Sequence, residues 1–286
     1  MRTIWVTGSA GQLGRSLQQL ARQYPDSTFW FTDVAELDIT DEEAVQYFMD
    51  KHRPQVVING AAYTQVDKAE EERTLAYEVN AKAVQHIARS CREHNALLLH
   101  LSTDFVFDGQ QGHPYVEEDE PHPLGVYGTT KQQGEALALA EHERTIILRT
   151  AWVYAEHGKN FLQTMLRLGA ERDVLKVVND QIGSPTYTGD LASVLLQLAH
   201  DSSLGGKYGL YHYTHEGAAT WYDFACAIME YAELPCEVLP IPTIAYPTPA
   251  RRPAYSYLSK EKIKSTFDLT LPHWRHRLKE VIAKSK

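Results

Sequence analysis

Cysteine is scarce in this chain: Cys91, Cys226 and Cys236 are its 3, and none belongs to a CxxC pair. An odd number so dispersed suits neither a disulfide framework nor a thiolate metal site, and it reads as reduced thiols in a reducing compartment. No HExxH occurs among the histidines, and His273 and His276 have no carboxylate or cysteine cluster beside them, so they read as a solvated helix face. No apolar run approaches the ~20 residues that a membrane-spanning helix needs. The opening Met1-Arg2-Thr3-Ile4-Trp5-Val6 runs straight into a strand-like segment, and no signal peptide is expected. A cytoplasmic protein is the expectation. Positive charge is also in short supply, with 28 Lys and Arg against 37 Asp and Glu and a net charge of -9. Neither nucleic acid nor an anionic membrane is therefore expected as a partner. A small anionic ligand stays open, because a nest of backbone N–H groups or one arginine can bind a phosphate.

What the chain does hold is strand and helix in alternation up to about Thr150. Thr3–Thr7 and Phe29-Trp30-Phe31 read as strands, with a helix over 12–23 between them. Thr40-Asp41-Glu42-Glu43 has the capping-box form and opens a helix to about His52. Val56-Val57-Ile58, Leu97-Leu98-Leu99-His100-Leu101 and Ile146-Ile147-Leu148 are short apolar runs without alternation, as strands covered on both faces require. The pattern predicts an α/β fold: a Rossmann-type, doubly wound parallel sheet over residues 1–150. Residues 151–286 are expected to form a smaller, mostly helical, substrate-binding region, with room for the chain to cross back. Leu191, Val194, Leu195 and Leu198 make one helical stripe, and Trp274, Leu278, Val281 and Ile282 another. The stretch Pro240–Pro253 reads as a rigid extended segment lining a surface, and Glu117-Glu118-Asp119-Glu120 as a solvated loop.

Gly8, Gly11 and Gly14 lie between the first strand and the first helix, in Gly8-Ser9-Ala10-Gly11-Gln12-Leu13-Gly14. Glycines there let the backbone turn tightly and approach a pyrophosphate, which the helix N-terminus then receives. Asp33, ending the second strand, is placed to accept hydrogen bonds from an adenosine ribose, and Arg15 nearby could accommodate a 2′-phosphate. Ser102-Thr103-Asp104 follows an apolar strand, where a hydroxyl can polarise a carbonyl. Tyr127 and Lys131, four apart, share one helix face, and an ammonium there is expected to lower the phenol's pKa. Each feature alone is ordinary; their order along the chain is that of a single cofactor cleft.

Here the sequence resembles the extended short-chain dehydrogenase/reductases, and more closely the dTDP-4-dehydrorhamnose reductases. The resemblance rests on the Gly8–Gly14 loop, Asn59-Gly60-Ala61-Ala62-Tyr63-Thr64, Val66-Asp67-Lys68-Ala69-Glu70, Ser102-Thr103-Asp104-Phe105-Val106-Phe107 and Tyr127-Gly128-Thr129-Thr130-Lys131. It continues through Arg149-Thr150-Ala151-Trp152-Val153-Tyr154, Asn179-Asp180-Gln181-Ile182-Gly183-Ser184-Pro185-Thr186 and Tyr246-Pro247-Thr248-Pro249-Ala250-Arg251-Arg252-Pro253. It implies NADPH or NADH as cofactor, with Gly11, Gln12 and Leu13 at the pyrophosphate and Asp33, Asp38 and Ile39 at the adenosine. Ala62, Tyr63 and Thr64 would lie along the cofactor, and Thr103, Tyr127 and Lys131 would be catalytic. Thr103, Asp104 and Trp152 would touch the sugar, while Asp180, Gln181 and Arg252 would reach the nucleotide diphosphate. Some bacterial members use a glutamate at the position of Ser16 to share a divalent metal such as Mg between subunits. Serine cannot do that, so no metal site is expected, and the chain is a monomer or a homodimer. The implied reaction reduces the C4 ketone of dTDP-4-dehydro-L-rhamnose. Rival readings are a nucleotide-sugar epimerase or dehydratase and a non-catalytic regulatory subunit resembling that of methionine adenosyltransferase. A dehydratase would need an acid pair beside Thr103, where the chain has Asp104 and then Phe105.

Overall fold

The apolar runs become β3 (Val56–Asn59), β4 (Leu97–Thr103) and β5 (Thr145–Thr150), all covered on both faces in a computed structural model that describes residues 2–285. Before and between them lie β1 (Arg2–Thr7), α1 (Gln12–Ala21), β2 (Ser27–Thr32), α2 (Glu42–His52), α3 (Val66–Ala69), α4 (Arg73–Tyr77), α5 (Ala83–Glu93) and α6 (Val126–Glu141). A π-helical turn, Glu78–Lys82, joins α4 to α5. Next come β6 (Val153–Tyr154), α7 (Phe161–Glu171), β7 (Val174–Val178), β8 (Ile182–Gly183), β9 (Thr186–Tyr187) and α8 (Thr188–His200). The chain ends with β10 (Gly209–His212), β11 (Ala219–Thr220), α9 (Trp221–Ala232), β12 (Glu237–Ile241), α10 (Glu261–Phe267) and α11 (Trp274–Ser285).

The main sheet is parallel with strand order β10-β5-β4-β3-β1-β2. From β1 the chain departs first to one side, to β2, and then to the other, to β3. That reversal opens a crevice at the carboxyl ends of the strands, where α/β sheets bind ligands. Leu191, Leu195 and Leu198 of α8 pack on one face with Ile4, Val6 and Leu17. Trp5, Val57 and Leu98 pack on the other with Val45, Met49 and Ile87. The stripe at Leu191 thus packs on the main sheet, and β10 pairs with β5 in it, so the chain crosses back to that sheet after residue 150. The appended part has its own core, in which Phe224, Ile228, Trp274 and Leu278 meet Leu162 and Leu175. Its helices are joined by three two-stranded sheets.

Two local readings need correction. The N-cap of α2 is Asp41, whose side chain accepts from the Ala44 N–H, whereas Thr40 donates its hydroxyl to Asp38. Glu117 is not solvated: it is buried, and its carboxylate accepts from the backbone N–H of His212 at 2.8 Å.

Candidate active site

A cleft of about 870 Å³ runs along the carboxyl ends of β1, β3, β4 and β5. At its floor the chain leaves β1 through Gly8, whose φ is +68°. A Cβ at Gly8 would stand 2.7 Å from the Ala61 nitrogen, so only glycine lets the loops after β1 and β3 meet. Gly11 caps α1 without any side-chain hydrogen bond, and Gln12, Leu13, Gly14 and Arg15 line the cleft behind it. Asp33 lines the far end with Asp38 and Ile39. Its carboxylate accepts from the Ala10 N–H at 2.8 Å and the Val34 N–H at 2.9 Å, which ties the glycine loop to the end of β2.

The other end is built by β4 and α6. Gly128 lets the helix approach, since a Cβ there would fall 2.1 Å from the Phe105 carbonyl oxygen. This close approach sets Tyr127 beside Thr103, whose hydroxyl favours the charged form of the phenol. Thr103 Oγ1 also accepts from the Phe105 N–H and donates to Asp104 Oδ1, each at 3.2 Å. Lys131 is buried, and its Nζ donates to the Leu101 carbonyl at 2.6 Å and lies 3.3 Å from His100 Nε2.

Desolvation dominates the electrostatics. It pushes Tyr127 up to about 12, and the Asp104 charge adds to this while the Thr103 hydrogen bond opposes it. The expected acidification of the phenol by Lys131 is therefore not found; that ammonium is engaged with Leu101 and His100. Burial lowers Lys131 to about 8 against the pull of Glu135. Asp104 is pushed up to about 6 by burial, although hydrogen bonds from Ser256 and Thr103 favour its charged form.

Of the residues expected in the site, Gly8, Gly11, Gln12, Leu13, Gly14, Asp33, Asp38, Ile39, Ala62, Thr64, Thr103, Asp104, Tyr127, Lys131 and Trp152 all line the one cleft. Trp152 adopts a left-handed backbone (φ 48°) and stacks on Trp221, ring centroids 3.7 Å apart. Tyr63 does not join them. Its ring turns away so that its hydroxyl donates to Glu72, and its backbone N–H and C=O bond the Asn80 side chain. Asn80 lies in the π-helical turn and also donates to Thr130 of α6, so it ties the segment after β3 to that helix. Asp180 and Gln181 stand apart from the cleft, where both bond Thr243 and brace the 240–253 segment. Arg252 pairs with Asp67. Ser16 is buried and donates to Thr188 Oγ1 at 2.8 Å. Among the described residues no group of three or more His, Cys, Asp or Glu side chains is arranged to hold a metal.

Sequence reading missed Lys159, Leu37 and Phe105 in the cleft, and a buried polar layer beneath it. Glu135 and Arg149 form a two-pronged ion pair there (2.9 and 2.6 Å), both buried. The available signal was a charged residue inside an otherwise apolar strand, as at Arg149 after Ile146-Ile147-Leu148.

A family model described as the RmlD substrate binding domain matches residues 1–286. The chain belongs to that family. Among relatives in and around the RmlD family, a dTDP-4-dehydrorhamnose reductase of Aggregatibacter actinomycetemcomitans is 46% identical, covering 99% of each chain. A dTDP-4-dehydrorhamnose reductase structure from Clostridium acetobutylicum is 41% identical with TM-score 0.93, again over 99% of each chain. One from Bacillus anthracis in complex with NADP is 37% identical with TM-score 0.94 over 99% of each chain.

Proposed function

We propose that the protein reduces the C4 ketone of dTDP-4-dehydro-L-rhamnose to give dTDP-L-rhamnose, with NADPH or NADH as reductant. The observation that carries this reading is the pairing of the Thr103 and Tyr127 hydroxyls at one end of a cleft whose other end is Asp33. A dinucleotide fits the residues present: a cradle at Gly8 that tolerates no Cβ, an uncapped helix N-terminus at Gly11, and a carboxylate at the end of β2. Gly11, Gln12 and Leu13 would hold the pyrophosphate, Asp33 the adenosine ribose and Lys131 the nicotinamide ribose. The reduced nicotinamide supplies the hydride.

The chain's own residues supply position and the proton. Thr103 turns its one hydroxyl proton from Asp104 to the ketone oxygen, and that hydrogen bond strengthens as negative charge grows there. Tyr127 passes its phenolic proton to that oxygen as the C4–H bond forms, so the product is the neutral alcohol and the tyrosine is left as phenolate until solvent reprotonates it. A phenol held near 12 is fully protonated at neutral pH, and an alkoxide is the stronger base, so the transfer runs downhill. Asp104 and Trp152 contact the sugar, with the stacked Trp152–Trp221 pair forming an apolar wall. We place the reaction in the cytoplasm; the three free thiols support a reducing compartment.

The test is consumption of NADPH and of NADH on adding dTDP-4-dehydro-L-rhamnose, with the product identified by NMR. Tyr127→Phe should lower kcat by roughly 10²–10⁴-fold and leave cofactor affinity nearly unchanged. Absence of turnover with either cofactor, or a Tyr127→Phe enzyme with near-normal kcat, would overturn the reading.

A further inference from the structure

Beneath the cleft a row of polar side chains crosses the sheet. Thr7, Asn59 and His100 are register partners on β1, β3 and β4, and each is at most 1% exposed. Two residues earlier on each strand the same face carries Trp5, Val57 and Leu98, which are apolar core. Thr7 Oγ1 is placed to donate to Asn59 Oδ1 at 2.6 Å, and Asn59 Nδ2 lies 3.1 Å from His100 Nδ1. His100 Nε2 is 3.3 Å from Lys131 Nζ, so the row ends on the lysine that the proposed reaction uses.

The chemistry of the ring fixes how the row is wired. A lysine ammonium can only donate, so Nε2 must be bare to meet it, and Nδ1 then carries the proton. An Nδ1–H requires the Asn59 oxygen opposite it, so the amide must be turned by a half-turn from its placement with Oδ1 on Thr7, its oxygen toward the ring and its nitrogen toward Thr7; the near-identical ends of an amide allow this. Burial drives His100 far toward the neutral form, and the Lys131 charge adds to that, so a bare Nε2 is available. Lys131 has few other acceptors. Glu135 is already committed to Arg149 through both oxygens, which leaves the Leu101 carbonyl. A buried ammonium with too few acceptors loses its proton or its place.

We propose that His100 is a positioning residue: its bare Nε2, braced through Nδ1 by Asn59 and Thr7, anchors the Lys131 ammonium beside the Leu101 carbonyl and so presents that charge to the cofactor cleft. The inference rests on Lys131 as a cofactor contact. Of the ionisable groups about the lysine, His100 from β4 lies 3.3 Å away and Glu135 from α6 favours its charge; Asp104 and Tyr127 line the same cleft, and Arg149 from β5 holds Glu135. Glu135 still favours the lysine's charge, but both its oxygens bond Arg149, so His100 is the side-chain acceptor whose removal should be felt as pH rises through about 8, where Lys131 gives up its proton.

Two measurements test this. Nitrogen-15 NMR of histidine-labelled protein, with His100→Gln used to assign the signal, reads the ring directly without any ligand. Between pH 6 and pH 8 the expected state is the neutral Nδ1–H tautomer; an Nε2–H tautomer or an imidazolium would overturn the proposal. Fluorescence titration with NADPH between pH 6 and pH 10 reads the consequence. His100→Leu should raise Kd by roughly tenfold or more at pH 7, the size of losing one hydrogen bond to a charge, and should move the alkaline loss of binding to lower pH. His100→Gln keeps an acceptor and should recover most of both. If the leucine variant does not fold, the ring tautomer and the glutamine variant still decide. A folded His100→Leu protein with wild-type affinity and pH profile, beside a Lys131→Met protein that binds poorly, would overturn the positioning role alone. A Lys131→Met protein that binds NADPH normally would overturn the role of the lysine itself.

Discussion

Arg252 grips Asp67 with two nitrogens, Nη2 at 2.8 Å from Oδ2 and Nη1 at 3.1 Å from Oδ1. Asp67 also accepts from the Ala250 N–H at 3.1 Å, so one carboxylate on α3 fastens the end of the proline-rich segment. The guanidinium holds that carboxyl below its ordinary range. We propose that Arg252 also reaches the nucleotide diphosphate, so that Arg252→Ala weakens dTDP-sugar binding by about tenfold, the loss of one charge-assisted contact, while NADPH affinity is kept. Calorimetric titration of dTDP and of NADPH checks it. Equal losses for the two ligands would show that the arginine only holds the segment in place.

Asp33 closes the glycine loop through Ala10 and lines the end of the cleft where we propose the adenosine sits. Removing the carboxylate takes away a repulsion felt by a 2′-phosphate and an acceptor used by a ribose hydroxyl. Asp33→Ala should shift the ratio of kcat/KM for NADPH over NADH upward by on the order of tenfold. Loosening of the loop lowers both values together, so the ratio is the diagnostic quantity. An unchanged ratio would place Asp33 outside the ribose site.

Much of this could be read from the chain. Unbroken apolar runs at Val56, Leu97 and Ile146 marked central parallel strands, because only a doubly covered strand can dispense with polar alternation. The cleft residues were legible because glycine loop, strand-end hydroxyl and YxxxK each carry a local spacing. What escaped were partners far apart in sequence. Nothing near Tyr63 announces that Glu72 draws its ring away, and nothing near Glu117 announces the backbone of His212. His100 was hidden inside an apolar run, where periodicity reports burial without reporting what a buried polar group must bond.

The Glu135–Arg149 pair shows what such hidden groups contribute. Both are buried, and Arg149 also lies over the Phe107 ring at 5.0 Å. Glu135→Gln leaves an uncompensated guanidinium and should destabilise the fold by about 3–5 kcal/mol. Adding Arg149→Met to Glu135→Gln should restore much of that loss. Urea unfolding of the single and double variants checks it; a double variant as unstable as the single one would show that packing, not the unpaired charge, is at issue.

Asp104 supplies a prediction with a defined pH window. Its carboxyl stands near 6 in the folded chain against 3.8 for an ordinary aspartate, mainly because burial disfavours the charge. A raised carboxyl pKa means that between pH 3.8 and pH 6 the folded state holds more protons than the unfolded one. Stability therefore falls as pH rises through that window, and above it the full cost of the buried charge is present. A shift of that size corresponds to at most about 3 kcal/mol. The Asp104→Asn substitution removes the charge yet keeps an oxygen to accept from the Thr103 hydroxyl. The variant should be the more stable protein at pH 8, by up to about 3 kcal/mol, and the gap should close as pH falls toward 4. A destabilising group kept at the mouth of a cleft is what a binding role would require, so the same variant should lose activity while gaining stability. Urea unfolding at pH 4, 6 and 8, paired with kcat/KM at pH 8, reads both effects. A stability difference that does not change with pH would show that the Asp104 carboxyl titrates normally, and would remove the buried charge from the account of this site.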